Sequence, residues 1–113
     1  MTFGEWGERK AAAYLQKIGY RILVRNFRCK GGEIDIIALD GDILVFVEVK
    51  ARQSLACGAP GLAVTREKRR KLQLAVQVYL KRIKGEMRDR RMDLVEILYE
   101  KGRTCVRHTK GIF

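Results

Sequence analysis

The sequence predicts a single α/β domain over residues 1–113, and three observations carry that reading. Apolar residues recur at helical spacing near the N-terminus and again between about residues 66 and 83. Short β-rich runs, broken by Gly-containing turns, lie between and after them. At 113 residues there is room for one core, and 47% hydrophobic content with a single Pro fills it without staples. The expected order is helix, three strands, helix, two strands.

The first helix covers about residues 4–18, because Glu8, Ala11, Ala12, Leu15 and Ile18 form one stripe and Gly19 ends it. One member of that inward stripe is a carboxylate. Residues 20–28 read as a strand, with Ile22 and Val24 on one face and Leu23 on the other, followed by the turn Lys30-Gly31-Gly32. Residues 33–39 and 43–51 flank Asp40-Gly41-Asp42 as a hairpin. With Gly41-Asp42 as the loop, Asp35 opposes Glu48 and Glu33 opposes Lys50; with Asp40-Gly41 as the loop, Asp35 and Glu48 are diagonal neighbours on one face. In the third strand Ile43, Val45, Val47 and Val49 make one apolar face, and Leu44 and Phe46 begin the other. Such a strand is buried on both sides, yet its second face ends in Glu48 and Lys50. Charges there need a partner, a metal or the mouth of a cleft.

A crossover over residues 59–64, with Gly58, Pro60 and Gly61 as breakers, leads to Thr65, the N-cap of a helix ending near residue 83. Its inward stripe is Leu72, Ala75, Val76, Tyr79 and Ile83. Arg66, Lys68, Arg69, Arg70 and Lys71 crowd its first turns against the helix dipole, a conflict that a bound phosphate relieves. Lys68 points toward the sheet, and Arg69 and Arg70 face solvent. After Gly85, residues 92–99 and 104–108 are the closing strands.

Lys and Arg number 24 against 13 Asp and Glu, a net charge of +11. Residues 1–60 hold 9 basic and 7 acidic side chains and residues 61–113 hold 15 and 6, so the excess lies downstream. Such a surface meets a polyanion, nucleic acid first and an anionic membrane surface second; charge for solubility alone is the plain alternative. Residues 43–47, the longest apolar stretch, are too few to span a bilayer, and Glu5 and Glu8 stand where a signal peptide needs basic and apolar regions. A cytoplasmic protein without a membrane partner is expected. Cys29, Cys57 and Cys105, an odd set without a Cys-x-x-Cys pair, read as reduced packing residues. Cys105 and His108 lie three apart on a strand and point to opposite faces, a poor zinc pair. Phe3 and Trp6 are expected to pack under the first helix and Arg91 and Asp93 to pair at a strand start, and the lone His108 has no second His or nearby acid pattern that suggests a nucleophilic triad.

The hairpin gathers Asp35, Glu48 and Lys50, and the first helix offers Glu8. Hard oxygen ligands of this kind suit Mg²⁺ or Mn²⁺, with Asp35, Glu48 and Glu8 as candidate ligands and Lys50 as a fixed positive charge beside a phosphate or water. Arg52, Lys68, Arg69 and Arg70 are candidate phosphate holders. The competing reading is an ordinary Glu-Lys ion pair at a sheet rim.

Gly7-Glu8, Gly19-Tyr20, Asn26-Phe27-Arg28, Gly32-Glu33-Ile34-Asp35, Val45-Phe46-Val47-Glu48-Val49-Lys50-Ala51-Arg52, Lys68 and Arg91-Met92-Asp93 together resemble the YraN family of bacterial proteins, over nearly the whole chain. That family is similar to the restriction endonuclease-like superfamily, whose PD-(D/E)xK site falls here on Asp35, Glu48 and Lys50; Glu8 is similar to the extra acid of archaeal Holliday-junction resolvases. Ile34 replaces the Pro of the PD pair and leaves the acid intact. The resemblance implies a restriction endonuclease-like core, a central mixed sheet flanked by helices. It also implies a Mg²⁺- or Mn²⁺-dependent DNA endonuclease with Glu8, Asp35, Glu48 and Lys50 as catalytic residues, acting on branched or recombination DNA. A homodimer is the expected assembly on a two-fold junction. The alternative is a DNA- or RNA-binding protein on a nuclease scaffold without turnover.

Overall fold

The computed structural model describes residues 1–53, 64–83 and 89–112; the expected crossover up to residue 63, with Gly58, Pro60 and Gly61, together with Cys57 and Gly85, lies outside the described residues. The elements run α1 (Phe3–Lys17), β1 (Arg21–Cys29), β2 (Gly32–Asp40), β3 (Ile43–Arg52), α2 (Arg66–Arg82), β4 (Arg90–Glu100) and β5 (Arg103–Thr109). The strands form one sheet in chain order, with β3 and β4 parallel and every other neighbouring pair antiparallel. Tight turns permit the antiparallel pairs, whereas the parallel pair needs a crossover, and α2 lies within it.

Each helix starts where a hydroxyl satisfies an orphan backbone donor. Thr2 Oγ1 accepts from the Glu5 N–H at 3.0 Å, and Thr65 Oγ1 accepts from the Lys68 N–H at 3.1 Å. Helix α1 buries Ala11, Ala12 and Leu15 against Ile36, Ala38, Val45, Val47, Val95 and Ile97. On the opposite sheet face, α2 buries Leu72, Ala75 and Val76 against Phe27, Ile34, Ile37 and Phe46. Strand β3 feeds both layers, so residues 44–48 are all buried, as the two-sided apolar pattern requires. Both helices begin at the C-terminal end of β3: Gly7 of α1 rests on Ala51, and Lys68 of α2 reaches Glu48.

Several local expectations change. Ile18 caps α1 and is 44% exposed rather than completing the stripe. A register shift between Ile22 and Val24 places Ile22 in the α1 layer and Val24 in the α2 layer; a bulge breaks the strict alternation. Cys105 is exposed on the edge strand and does not pack, while Cys29 is half-buried in the α2 layer. Among the described residues no helix is long and apolar enough to cross a membrane.

Candidate functional site

The hairpin uses Gly41-Asp42 as its loop, with Asp40 paired to Ile43 and Leu39 to Leu44. Pairing of β2 with β3 stops at Ile36 and Val47. Beyond that point β2 stays with β1 as far as Gly32 and Cys29, and β3 stays with β4 as far as Arg52 and Leu98, so the sheet parts. Opposite Asp35 in β1 stands Asn26 with φ of 56°, a left-handed conformation that Asn tolerates better than most side chains. The backbone rotates here: Ile36 packs into the α1 layer, and Ile34, two residues away, packs into the α2 layer. Asp35 then turns into the gap, where its Oδ2 accepts the Val49 N–H at 2.8 Å in place of a ladder carbonyl.

Glu48, the residue the register sets against Asp35, is 7% exposed. Burial, with the Asp35 charge beside it, pushes the Glu48 carboxyl up to about 7, against an opposing hydrogen bond from the Lys68 ammonium. Burial also raises Asp35, opposed by the Val49 N–H and by Lys68. Two carboxyls this close titrate as a pair, since ionising one opposes ionising the other. Glu8 on α1 feels this gap without joining the two carboxyls: partial burial and then the Asp35 charge raise it, with Arg25 in partial opposition. Among the described residues no three His, Cys, Asp or Glu side chains are grouped closely enough to hold a metal ion by themselves. The donor set is thus two adjoining carboxylates, which suits a hard cation that keeps waters and takes substrate phosphate, with Glu8 behind them.

Lys50 lies two residues beyond Glu48 on the same strand, half-buried and in register with Glu96 of β4. Arg52 is held: its Nε donates to Glu96 Oε2 at 2.8 Å. Arg107 grips the same carboxylate, donating to Oε1 at 2.7 Å and to Oε2 at 2.9 Å. Glu96 is fully buried, and these two guanidinium groups hold its carboxyl below the usual range against the effect of burial. Lys68 enters the gap, whereas Arg69 and Arg70 are exposed on α2 and Arg70 pairs with Glu67 at 3.2 Å. Beside the gap a groove of about 500 Å³ runs between the β1–β2 turn and α2, lined by Arg28, Gly32, Glu33, Glu48, Lys68 and Lys71. An added Cβ on Gly32 would collide with the Lys71 carbonyl, so Gly32 permits the close approach that brings Lys68 to Glu48.

The network that sequence reasoning missed lies at the other end of the sheet. Arg91 and Asp93 pair as expected, at 2.7 Å, but His108 is not alone: its Nε2 donates to Asp93 Oδ2 at 2.7 Å. Tyr14 Oη meets His108 Nδ1 at 2.9 Å, and Arg91 donates to Tyr20 Oη at 2.6 Å and to Asp40 Oδ2 at 3.2 Å. Asp93 is 1% exposed, and its partners hold the carboxyl down at about 2 despite burial. These partners come from α1, the α1–β1 connection, β2, β4 and β5, so no local spacing announces them.

Residues 7–97 match the model of the uncharacterised protein family UPF0102. The chain is 49% identical over 94 residues to a UPF0102 protein of Caldicellulosiruptor saccharolyticus, covering 83% of this chain and 80% of that one. It is 50% identical over 94 residues, with the same coverage, to one of Symbiobacterium thermophilum. With the protein of Beutenbergia cavernae the identity is 43% over 112 residues, covering 98% and 95% of the two chains. The matched span holds the carboxylate gap, Lys50, Lys68 and the Arg91–Asp93 pair, and on these grounds the chain belongs to the UPF0102 family, the YraN family that its motifs resemble.

Proposed function

We propose that this protein is a divalent-metal-dependent nuclease of the PD-(D/E)xK type, acting on DNA. The observation that carries the reading is the parted hairpin: a fold that places two adjoining, largely buried carboxyls where β2 and β3 part leaves them short of positive charge. Asp35 and Glu48 are the residues that would hold Mg²⁺ or Mn²⁺, with Glu8 behind them. The ion supplies charge neutralisation at a phosphate and activation of a water. Lys50, on the Glu48 face of β3, sets a fixed positive charge beside the reacting phosphate. Lys68 holds Glu48 in its resting ion pair and exchanges that carboxylate for substrate phosphate. The N-terminal turn of α2, which brings Lys68 to Glu48, favours anions beside the gap.

Cleavage of single-stranded, duplex and branched DNA with Mg²⁺ or Mn²⁺ tests this. Wild type should cut at least one of them, and Asp35→Ala and Lys50→Ala should each lower the rate at least about 100-fold, the scale of losing an electrostatic group aimed at the reacting centre. Failure of wild type on all three substrates sinks the reading. A second reading, a DNA- or RNA-binding protein without turnover, draws on the Lys68 ammonium already neutralising Glu48. Under it, binding that falls steeply with salt would survive both substitutions.

A further inference from the structure

Helix α1 crosses the sheet so closely at Gly7 that an added Cβ would lie 2.7 Å from the Ala51 Cβ. Glu8, on one side of this crossing, feels the charge of Asp35. On the other side three aromatic rings meet. Phe3 and Trp6 stack with centroids 5.3 Å apart and planes 13° apart, and Tyr99 of β4 meets Trp6 edge-on at 5.9 Å. Trp6 leans on the α1 core, but Phe3 is 38% exposed and Tyr99 is 44% exposed. Phe3 therefore does not pack under the helix; it extends a ring stack into solvent.

Exposed cations outnumber the acids next to these rings. Arg9 and Lys10 on α1 and Lys101 and Arg103 at the β4–β5 turn are exposed, against Glu5, which accepts a hydrogen bond from Thr2 Oγ1, and Glu100, which stands opposite Arg103 in the β4–β5 ladder. Exposed rings among cations are what an unpaired nucleobase needs: a π-face to stack on and charge to hold its phosphates. A continuous duplex offers base faces only at its ends. We propose that Phe3, Trp6 and Tyr99 form a stacking platform for an unpaired base of the strand whose backbone enters the carboxylate gap beyond Gly7. The proposal rests on the nucleic-acid reading above and narrows its substrate to strands carrying unpaired bases.

Trp6 is the sole Trp of the chain, so its fluorescence reports on the platform without a label. The 113-residue protein in EDTA, where no metal-dependent cutting intervenes, is titrated with a thymidylate strand of about ten nucleotides, with a hairpin whose stem is fully paired and whose loop is a linker without bases, and with heparin, a polyanion that has no bases. The thymidylate strand should quench Trp6 saturably, the hairpin should do so weakly, and heparin should bind without that quenching. Phe3→Ala, a change at an exposed ring, should weaken thymidylate binding about 10-fold by anisotropy and leave heparin binding unchanged. Trp6→Ala should act alike and Trp6→Phe should restore most of the affinity, with thermal melts showing that each variant is folded. Equal quenching by heparin, or equal weakening of heparin binding in Phe3→Ala, overturns the platform. A protein that binds none of the three loses the nucleic-acid reading itself, whereas one that binds the strand with Trp6 silent loses only the platform.

Discussion

At the scale of single residues, Glu48 and Asp93 are both buried acids, and their surroundings drive them in opposite directions. Asp93 accepts from Arg91, His108 and the Gly111 N–H, so its carboxyl falls from 3.8 to about 2. The unfolded chain then binds a proton more readily than the folded one across that interval. Asp93 accordingly adds stability that is complete above pH 3.8 and is lost as pH falls toward 2. Glu48 rises from 4.5 to about 7, so there the folded chain holds the proton more tightly and stability declines as pH climbs from 4.5 to 7. Thermal melts of the metal-free protein should therefore peak at about pH 4 to 5 and decline toward pH 8. Glu48→Gln should abolish most of the decline above pH 5 and leave the acid limb in place. An unchanged alkaline-side decline in that variant would show that the carboxyl pair is not its source.

At the scale of elements, Asn26 of β1, with φ of 56°, turns the chain opposite Asp35, next to the point where β2 parts from β3. Asn26→Val puts a β-branched side chain in a left-handed conformation and should cost about 1–2 kcal/mol in denaturant unfolding, whereas Asn26→Gly should be near neutral. Equal losses in the two variants would place the cause in the amide side chain rather than in the backbone. Most of the elements were legible from hydrophobic period, cap and turn. Thr65 caps α2 as read, Gly41-Asp42 makes the loop, and the helices and strands end within about two residues of expectation. The two-sided strand ending in Glu48 was legible because period-2 patterning fails visibly when a charge enters it. Asn26 opens the Asn26-Phe27-Arg28 motif, yet nothing in an otherwise regular β pattern marks a left-handed residue there. The bulge at Leu23 was hidden for the same reason. Glu96 between Arg52 and Arg107, and His108 between Tyr14 and Asp93, were illegible because each joins residues distant in the chain, and only the assembled sheet specifies such pairs.

At the scale of the whole molecule, a charge of +11 sets long-range attraction to a polyanion, and the acids decide what happens on contact. Arg52 and Arg107 are tied to Glu96, Arg91 to Asp93, and Lys68 to Glu48, so several cations are already committed inside the fold. Above about pH 7 the Asp35–Glu48 pair carries negative charge at the place where the parted sheet would receive a phosphate. Without a divalent ion these carboxylates should oppose nucleic-acid binding. The double variant Asp35→Asn, Glu48→Gln should then bind DNA more tightly than wild type at pH 8 in EDTA, by roughly tenfold if the relieved repulsion is about 1.4 kcal/mol. Mg²⁺ should close most of that gap by raising wild-type affinity, because it has carboxylates to occupy only there. Both proteins should lose affinity with salt at nearly the same slope, since the number of phosphates met by Lys and Arg changes little. Titrations by anisotropy at three salt concentrations measure all of this. If wild type and the double variant bind equally in EDTA, the phosphate does not approach the carboxylates, and the parted hairpin is not where this basic protein meets its polyanion.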